Sequence, residues 1–267
     1  MNIPDTSAAW PEASVPVLQV AGAVATITLN RPAHRNRLQD EDLQTLLRQF
    51  EQVQDQTAVS VLVLRARTRP DAPVFSAGYH IGQFQGGHAG GELAFEHVPD
   101  ALARLRVVTL CALSGSVYGG ATDLAMACDF RIGVHGMALR MPAAALGLHY
   151  YPSGLRRFVA RVGLGATRRL FLRADDVAAD DLLAMGYLDQ LVPPAALDRT
   201  LDDWVTRLTQ MAPLALQGMK QTIQEMAWGE ERMADWRARE ALSKASTDFA
   251  EGRAAFAERR SPRFNGR

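Results

Sequence analysis

The stretch between residues 107 and 129 constrains the fold of this chain more than any other. An apolar run at residues 107–113 is typical of a buried strand, and it is followed by Gly119, Gly120 and then apolar residues at helical spacing. The sequence therefore predicts a strand, a tight glycine turn and a helix. Adjacent glycines let a backbone approach a ligand closely, and the first N–H groups of a helix lack internal partners. The stretch is a candidate anion site, and plain packing of a helix on a strand is the alternative.

Short strands and helices alternate on either side of this turn. The pattern predicts a hairpin from residues 15–20 and 23–29, an amphipathic helix at 39–54 and a buried strand at 59–66. The glycine density of residues 82–91 predicts a mobile loop, a candidate lid over a site. Further along, the pattern predicts a short helix at 101–106, strands at 130–134 and 138–141 that pair, helices at 155–162, 166–172 and 175–185, and a strand at 188–192.

The same pattern divides the chain into three parts. Residues 1–14 form an N-terminal tail, residues 15–200 are rich in strands, and residues 201–267 show only helical periods. The order strand, strand, helix recurs in the middle part without identity between its units. This recurrence is what a structural repeat wound as a spiral would give.

Composition restricts the class of protein. The 267 residues are 48% hydrophobic with a formal net charge of zero, which suits a large globular core and argues against nucleic acid as the main partner. Neither an apolar run of about 18 residues nor a secretory leader is present, so we expect a cytoplasmic protein that does not bind membranes. Cys111 and Cys128 lie in apolar runs and are expected to be buried thiols rather than a disulfide.

Four segments of the chain carry distinctive motifs. In chain order they are ITLNRP at 27–32 followed by Arg35-Asn36, FSAG at 75–78, GSVYGGATDLAMACD at 115–129, and EGRAAFAERRSPRF at 251–264. Together they resemble the signatures of the crotonase superfamily, also called the enoyl-CoA hydratase/isomerase family. The resemblance extends from about Val15 to Phe264. It implies an α/β fold, a spiral of ββα turns with a C-terminal helical trimerisation region, and self-association as a trimer or a dimer of trimers.

The resemblance also implies a substrate and a site. The substrate is an acyl-CoA thioester, and coenzyme A enters as part of it, so no separate cofactor is expected. Chemistry at the α-carbon places negative charge on the thioester oxygen, which two backbone N–H donors can stabilise. By resemblance these donors are the amides of Ala77 and Gly120. Arg35, Arg37 and Arg259 match positions that bind coenzyme A in the family, with Ala77 beside the thioester; solvated surface charge is the alternative for each arginine.

The chain departs from the family's hydratases at both catalytic glutamates. The first position is Asp123, which has a shorter reach, and the second is Ala143, which cannot transfer a proton. Ordinary two-glutamate hydration is therefore not expected. Asp123 is the candidate proton-transfer group, and a residue that stabilises the helix dipole is the alternative.

Local similarity to the methylmalonyl-CoA decarboxylase branch points to two further polar groups. Residues 115–121 and 146–150 resemble that branch, in which a tyrosine at the place of Tyr150 lies beside the reacting carboxylate. The branch's histidine falls on Tyr79 here, and His80 follows one residue later. Tyr150, His149 and Tyr151 also fit an aromatic wall. A metal site built from His80, Asp123 and His149 is not expected, because no element carries ligand spacing.

Three hypotheses follow. The first is an acyl-CoA enzyme, a lyase or isomerase, that stabilises a thioester enolate in an oxyanion hole and hydrates or isomerises an enoyl-CoA. The second is a decarboxylase of a malonyl-type CoA. The third is a protein that binds acyl-CoA without catalysis.

Overall fold

A computed structural model describes residues 14–80 and 95–267; the predicted tail and the glycine-rich segment at 82–91 lie outside these ranges. Ten strands, numbered in chain order, are described. They are β1 Val17–Ala21, β2 Val24–Leu29, β3 Val61–Ala66, β4 Val74–Ser76, β5 Val108–Leu113, β6 Ser116–Tyr118, β7 Phe130–Val134, β8 Ala138–Arg140, β9 Val177–Ala178 and β10 Gln190–Val192.

The described residues also form nine α-helices. They are α1 Asp40–Asp55, α2 His97–Ala103, α3 Gly120–Met126, α4 Pro152–Arg168, α5 Ala179–Ala184, α6 Leu197–Thr209, α7 Pro213–Ala227, α8 Met233–Ala245 and α9 Thr247–Glu258. The sequence of α1 shows why such a segment is helical. Acidic residues stabilise its first turn, a capping box joins Gln39 and Asp42, and Leu43, Leu46 and Phe50 are buried along one face.

The strands build two sheets that the chain visits alternately. One sheet has the order β1-β2-β3-β5-β7-β10 and the other the order β4-β6-β8-β9. Successive turns of the chain thus place β3 then β4, β5 then β6, and β7 then β8, with a helix between turns. All residues of β2 and β5 are buried, as expected for parallel strands covered on both faces. The predicted spiral of ββα turns is confirmed.

Most predicted elements are present, some with shifted bounds: the helix predicted at 101–106 is α2 at His97–Ala103, and the helices predicted at 155–162 and 166–172 are joined in α4, which is non-helical only at Gly163. Two further elements are corrected. The predicted pair at 130–134 and 138–141 does not pair, because β7 bonds β5 while β8 bonds β6 in the other sheet. The predicted helix at 175–185 begins only at Ala179. Val177 and Ala178 instead form β9 against β8, so their backbone groups are used in a sheet.

The helical C-terminal part is present, and its first helix belongs to the core. Helix α6 spans residue 200, where the sequence pattern changes, and packs on β3, β5 and β7 with Leu201 and Val205 buried. Helices α7, α8 and α9 follow. Within residues 14–80 and 95–267, no helix is long and apolar enough to cross a membrane. Cys111 and Cys128 are buried free thiols, as predicted.

Candidate active site

Two loops that are distant in sequence meet at the start of α3. Gly78 follows β4 with a φ of 85°, and a Cβ atom built on it would lie 2.6 Å from the Tyr118 carbonyl oxygen and 3.1 Å from the Gly120 nitrogen. A side chain at Gly78 would therefore collide with backbone, so only glycine allows this approach. The predicted juxtaposition of the FSAG loop with the glycine turn is present.

The amide of Gly120 opens helix α3. Gly119 precedes it with a φ of 55°, and the Thr122 amide and hydroxyl both donate to the Gly119 carbonyl, at 3.0 and 2.8 Å. The Gly120 N–H has no acceptor within the described part of the chain, and its role as an oxyanion donor stays a prediction.

The amide of Ala77 is placed differently from the expectation. It donates to the Arg35 carbonyl oxygen at 2.8 Å. A short parallel bridge between Leu38 and Tyr79 lies beside this bond and joins the same two segments. The Ala77 N–H would have to give up its bond to Arg35 to serve as an oxyanion donor, and that role stays a prediction.

Asp123 lies one turn into α3 and is inaccessible to solvent. Arg157 of α4 binds its two oxygens with two parallel hydrogen bonds, each 2.9 Å long, and the Tyr151 hydroxyl donates to Oδ2. Arg157 also binds Asp100 of α2 at 3.0 Å. Both oxygens of Asp123 are thus engaged by donors of the protein, in a geometry typical of a strong buried ion pair.

The protonation states of this cluster follow from burial and charge. Burial alone lowers the pKa of Arg157, but its hydrogen bonds with Asp123 outweigh burial and the pKa lies above the usual value. Burial, together with the negative charge of Asp123, raises the pKa values of Tyr150 and Tyr151 well above their usual range. At neutral pH the cluster therefore contains a guanidinium and two protonated phenols.

Tyr150 and Tyr151 form a stacked pair beside Asp123. Their ring centroids are 4.2 Å apart, and the Tyr150 hydroxyl donates to the Tyr151 hydroxyl at 3.0 Å. The pair fits only because residue 154 is glycine: a Cβ there would lie 2.5 Å from Tyr150, 2.7 Å from Tyr151 and 2.9 Å from Asp123. Tyr150 is buried and Tyr151 half-buried, so Tyr151 is the more accessible of the two.

Sequence reasoning did not single out Arg157 or Tyr151 as members of this cluster. The signal was present as the spacing of Tyr151, Gly154 and Arg157, which share one face at the start of α4. A basic residue on the buried face of a helix calls for a buried carboxylate, and Asp123 is that carboxylate.

The remaining candidates lie apart from this cluster. Ala143 is buried and His149 is exposed, while His80 is half-buried with its amide bonded to the Leu38 carbonyl. Neither histidine contacts Asp123, whose carboxylate partners are Arg157 and Tyr151. In the described parts of the chain, no three His, Cys, Asp or Glu side chains are arranged to hold a metal ion.

A row of aromatic rings crosses the site. The Phe95 ring lies 5.6 Å from the Tyr79 ring and 6.3 Å from the Tyr151 ring, measured between centroids. The Tyr79 hydroxyl donates to Asp40, and burial with this hydrogen bond raises the pKa of Tyr79 to about 12. The row links the FSAG loop with the start of α4.

The three arginines predicted to bind coenzyme A occupy two regions. Arg35 is exposed and Arg37 half-buried in the loop before α1, and the Nε of Arg37 is buried with no partner among the described residues. Arg259 is exposed at the end of α9, with a φ of 54°. Arg35 and Arg259 are accessible to an anion, and their binding of coenzyme A stays a prediction.

Comparison with known proteins places this geometry in a family. A family model described as enoyl-CoA hydratase/isomerase matches residues 19–267. The chain belongs to the enoyl-CoA hydratase/isomerase family, the crotonase superfamily whose signatures it carries.

Individual relatives support the same family assignment. The chain is 28% identical over 253 residues to 2,3-dehydroadipyl-CoA hydratase of Escherichia coli, covering 91% of this chain and 96% of that protein. It is 28% identical over 254 residues to crotonyl-CoA hydratase of Syntrophomonas wolfei, covering 93% and 96%. Among solved structures, an enoyl-CoA hydratase subunit I from Geobacillus kaustophilus matches with a TM-score of 0.86 and 26% identity over 96% of this chain and all of that one. The crotonase fold and an acyl-CoA enzyme family are thus established.

Proposed function

We propose that the protein binds an acyl-CoA thioester and stabilises its enolate through the Gly120 amide. The observation that carries this proposal is that the Gly120 N–H has no acceptor among the described residues, at a point where Gly78, without a side chain, lets the FSAG loop come close to it. A fixed donor aimed at a developing oxyanion contributes about 10²–10³ in rate. The relatives named as hydratases of enoyl-CoA thioesters support the same substrate class.

Hydration or isomerisation of an enoyl-CoA needs a group that transfers a proton. Asp123 is the candidate, because it lies on the same face of α3 as Gly120, one turn away. To accept a proton it must exchange a hydrogen bond from Arg157 or Tyr151 for one from the substrate. Ala143 leaves the position of the second family glutamate without a carboxylate.

Decarboxylation of a malonyl-type CoA is the second candidate, and the closed ion pair of Asp123 with Arg157 favours it. In that reaction the bond between the α-carbon and the carboxylate breaks, carbon dioxide leaves, and the electron pair remains as the thioester enolate. The step needs an oxyanion donor and no base. Tyr150 is the proposed neighbour of the reacting carboxylate, and the α-carbon of the enolate then takes up a proton from solvent water.

A turnover screen with crotonyl-CoA, a trans-3-enoyl-CoA and methylmalonyl-CoA tests the proposal. We expect turnover of one of them. Tight binding of all three without turnover would instead support a non-catalytic acyl-CoA binding protein.

Two variants then assign the chemistry. If Asp123 transfers the proton, Asp123→Asn lowers kcat by about 10²–10⁴ while coenzyme A affinity stays constant. If the reaction is decarboxylation, Tyr150→Phe lowers kcat more than Asp123→Asn does. Both variants are compared at equal folded fraction, measured by thermal unfolding, because Asp123→Asn also weakens a buried ion pair. Full activity in both variants would exclude both side chains.

A further inference from the structure

The side chain of Phe95 is packed directly against the proposed oxyanion donor. A Cβ atom built on Gly120 would lie 2.7 Å from Cζ and 2.8 Å from Cε1 of the Phe95 ring. The edge of the ring therefore touches the Gly120 backbone, and residue 120 must be glycine for the ring to sit there. The three atoms nearest to such a Cβ all belong to the Phe95 ring.

The ring is held in this position from several sides. Tyr79 and Tyr151 flank it, and the Val98 amide donates to the Phe95 carbonyl at 3.1 Å, which fixes its backbone at the start of α2. Helix α2 in turn packs on α1 and α3. Swinging the ring away would cost both aromatic contacts, each of the kind that stabilises a packed aromatic pair beyond simple burial.

The position of the Phe95 ring limits the length of the acyl chain that a bound thioester can carry. A carbonyl oxygen bonded to the Gly120 N–H lies about 3 Å from that nitrogen, so the first acyl carbons lie within a few ångströms of it. The Phe95 ring occupies space at a similar distance from Gly120. A thioester bonded to the Gly120 N–H would therefore hold the first carbons of its acyl chain within reach of this apolar ring.

From this geometry, and resting on the proposed function, we infer that Phe95 is a specificity-determining residue that closes the acyl end of the site and restricts the enzyme to short acyl chains. Truncation of the ring opens the wall to longer chains. Because one methylene in an apolar pocket changes discrimination by about 10–200-fold, removal of a whole ring has a large effect on chain-length preference.

The test measures binding of saturated thioesters, which do not react, to the full-length protein. Dissociation constants of butyryl-CoA and octanoyl-CoA are determined by calorimetry for the wild type, Phe95→Ala and Phe130→Ala. Phe130 is the matched control, since its ring is also half-buried and paired with another aromatic, Trp204, at 5.0 Å, but on β7. We expect the wild type to prefer butyryl-CoA, Phe95→Ala to shift the affinity ratio toward octanoyl-CoA by about tenfold or more, and Phe130→Ala to leave it unchanged.

An unchanged ratio in folded Phe95→Ala, or an equal shift in Phe130→Ala, would overturn the inference. If Phe95→Ala fails to fold, Phe95→Leu keeps most of the volume and must shift the ratio in the same direction. The proposed catalytic function and the proposed role of Phe95 are contradicted by different results. A shifted ratio with no turnover of any thioester removes the catalytic proposal and keeps Phe95, whereas turnover with an unshifted ratio does the opposite.

Discussion

The spiral core and the C-terminal helices α7–α9 differ in how far their side chains are buried. In the core, every residue of β2 and β5 is buried. In α8 no residue is buried, and in α9 only Asp248 and Ala255 are. Large apolar side chains are instead exposed along these helices: Met219, Ile223, Met226, Leu242, Phe249 and Phe256. The central strands of the core complete their own packing, whereas the C-terminal helices present a surface that another surface can cover.

Ion pairs show the same difference. Arg157 and Asp123 are buried in the core and bind each other through two hydrogen bonds. In α9 and the residues after it, Arg260 binds Glu251 and Glu258 at the exposed surface. A buried pair cannot lose one member without leaving an uncompensated charge, while water replaces a lost surface partner. Loss of one partner therefore destabilises the buried pair of the core more than the exposed pairs of the C-terminal helices.

The largest expected effect tests this contrast on stability. Arg157→Met removes the partner of a carboxylate that has no access to water, and we expect the free energy of unfolding at pH 7 to fall by about 3–5 kcal/mol. Urea titration followed by circular dichroism measures it. Arg260→Met is the matched control and leaves the midpoint unchanged. Equal losses in the two variants would break the comparison between buried and exposed pairs.

The second prediction concerns the exposed apolar surface. Phe256 is 88% exposed beside a groove of about 400 Å³ lined by Phe249, Arg253 and Phe264 among others. We predict assembly in multiples of three, in which this surface is covered. Phe256→Asp then removes about 1.5–3 kcal/mol per buried ring and weakens each contact about 10–100-fold.

Light scattering at micromolar concentration checks the assembly. Leu172→Asp is the control, because Leu172 is 71% exposed but lies on the core. A monomeric wild type would refute the assembly. Dissociation by Leu172→Asp alone would place the contact between subunits on the core instead of the C-terminal helices.

Much of the fold could be predicted from the sequence because its signals are local. Continuous apolar runs marked β3 and β5, helical spacing marked α1, and Gly119-Gly120 marked the turn before α3. The two wrong elements depend on distant partners. Residues 130–134 and 138–141 are both short runs typical of strands, and only their pairing with β5 and β6 places them in different sheets.

The site was predictable in its backbone and less so in its side chains. The family signatures indicated that the FSAG loop and the glycine turn belong to one site, and the structure brings Gly78 close to Gly120. The partner of Asp123 lies 34 residues away on another helix, and periodicity does not report such a pairing. The bond from the Ala77 amide to Arg35 likewise joins two separate loops.

The smallest expected effect tests the C-terminal helices as a ligand surface. Arg259 and Arg260 are neighbours at the end of α9, but Arg260 is held by two glutamates while Arg259 is exposed and has no ion-pair partner among the described residues. An arginine without a partner offers its fixed set of donors to a phosphate, whereas one bound to carboxylates must first give them up. Exposed charge pairs contribute about 0.2–1 kcal/mol, so Arg259→Ala should weaken coenzyme A binding up to about fivefold and reduce its dependence on salt. Arg260→Ala should change neither quantity. Calorimetric titration of coenzyme A at low and high salt measures both, and an equal loss in the two variants would mean that general positive charge, rather than the unpaired guanidinium of Arg259, attracts the phosphates.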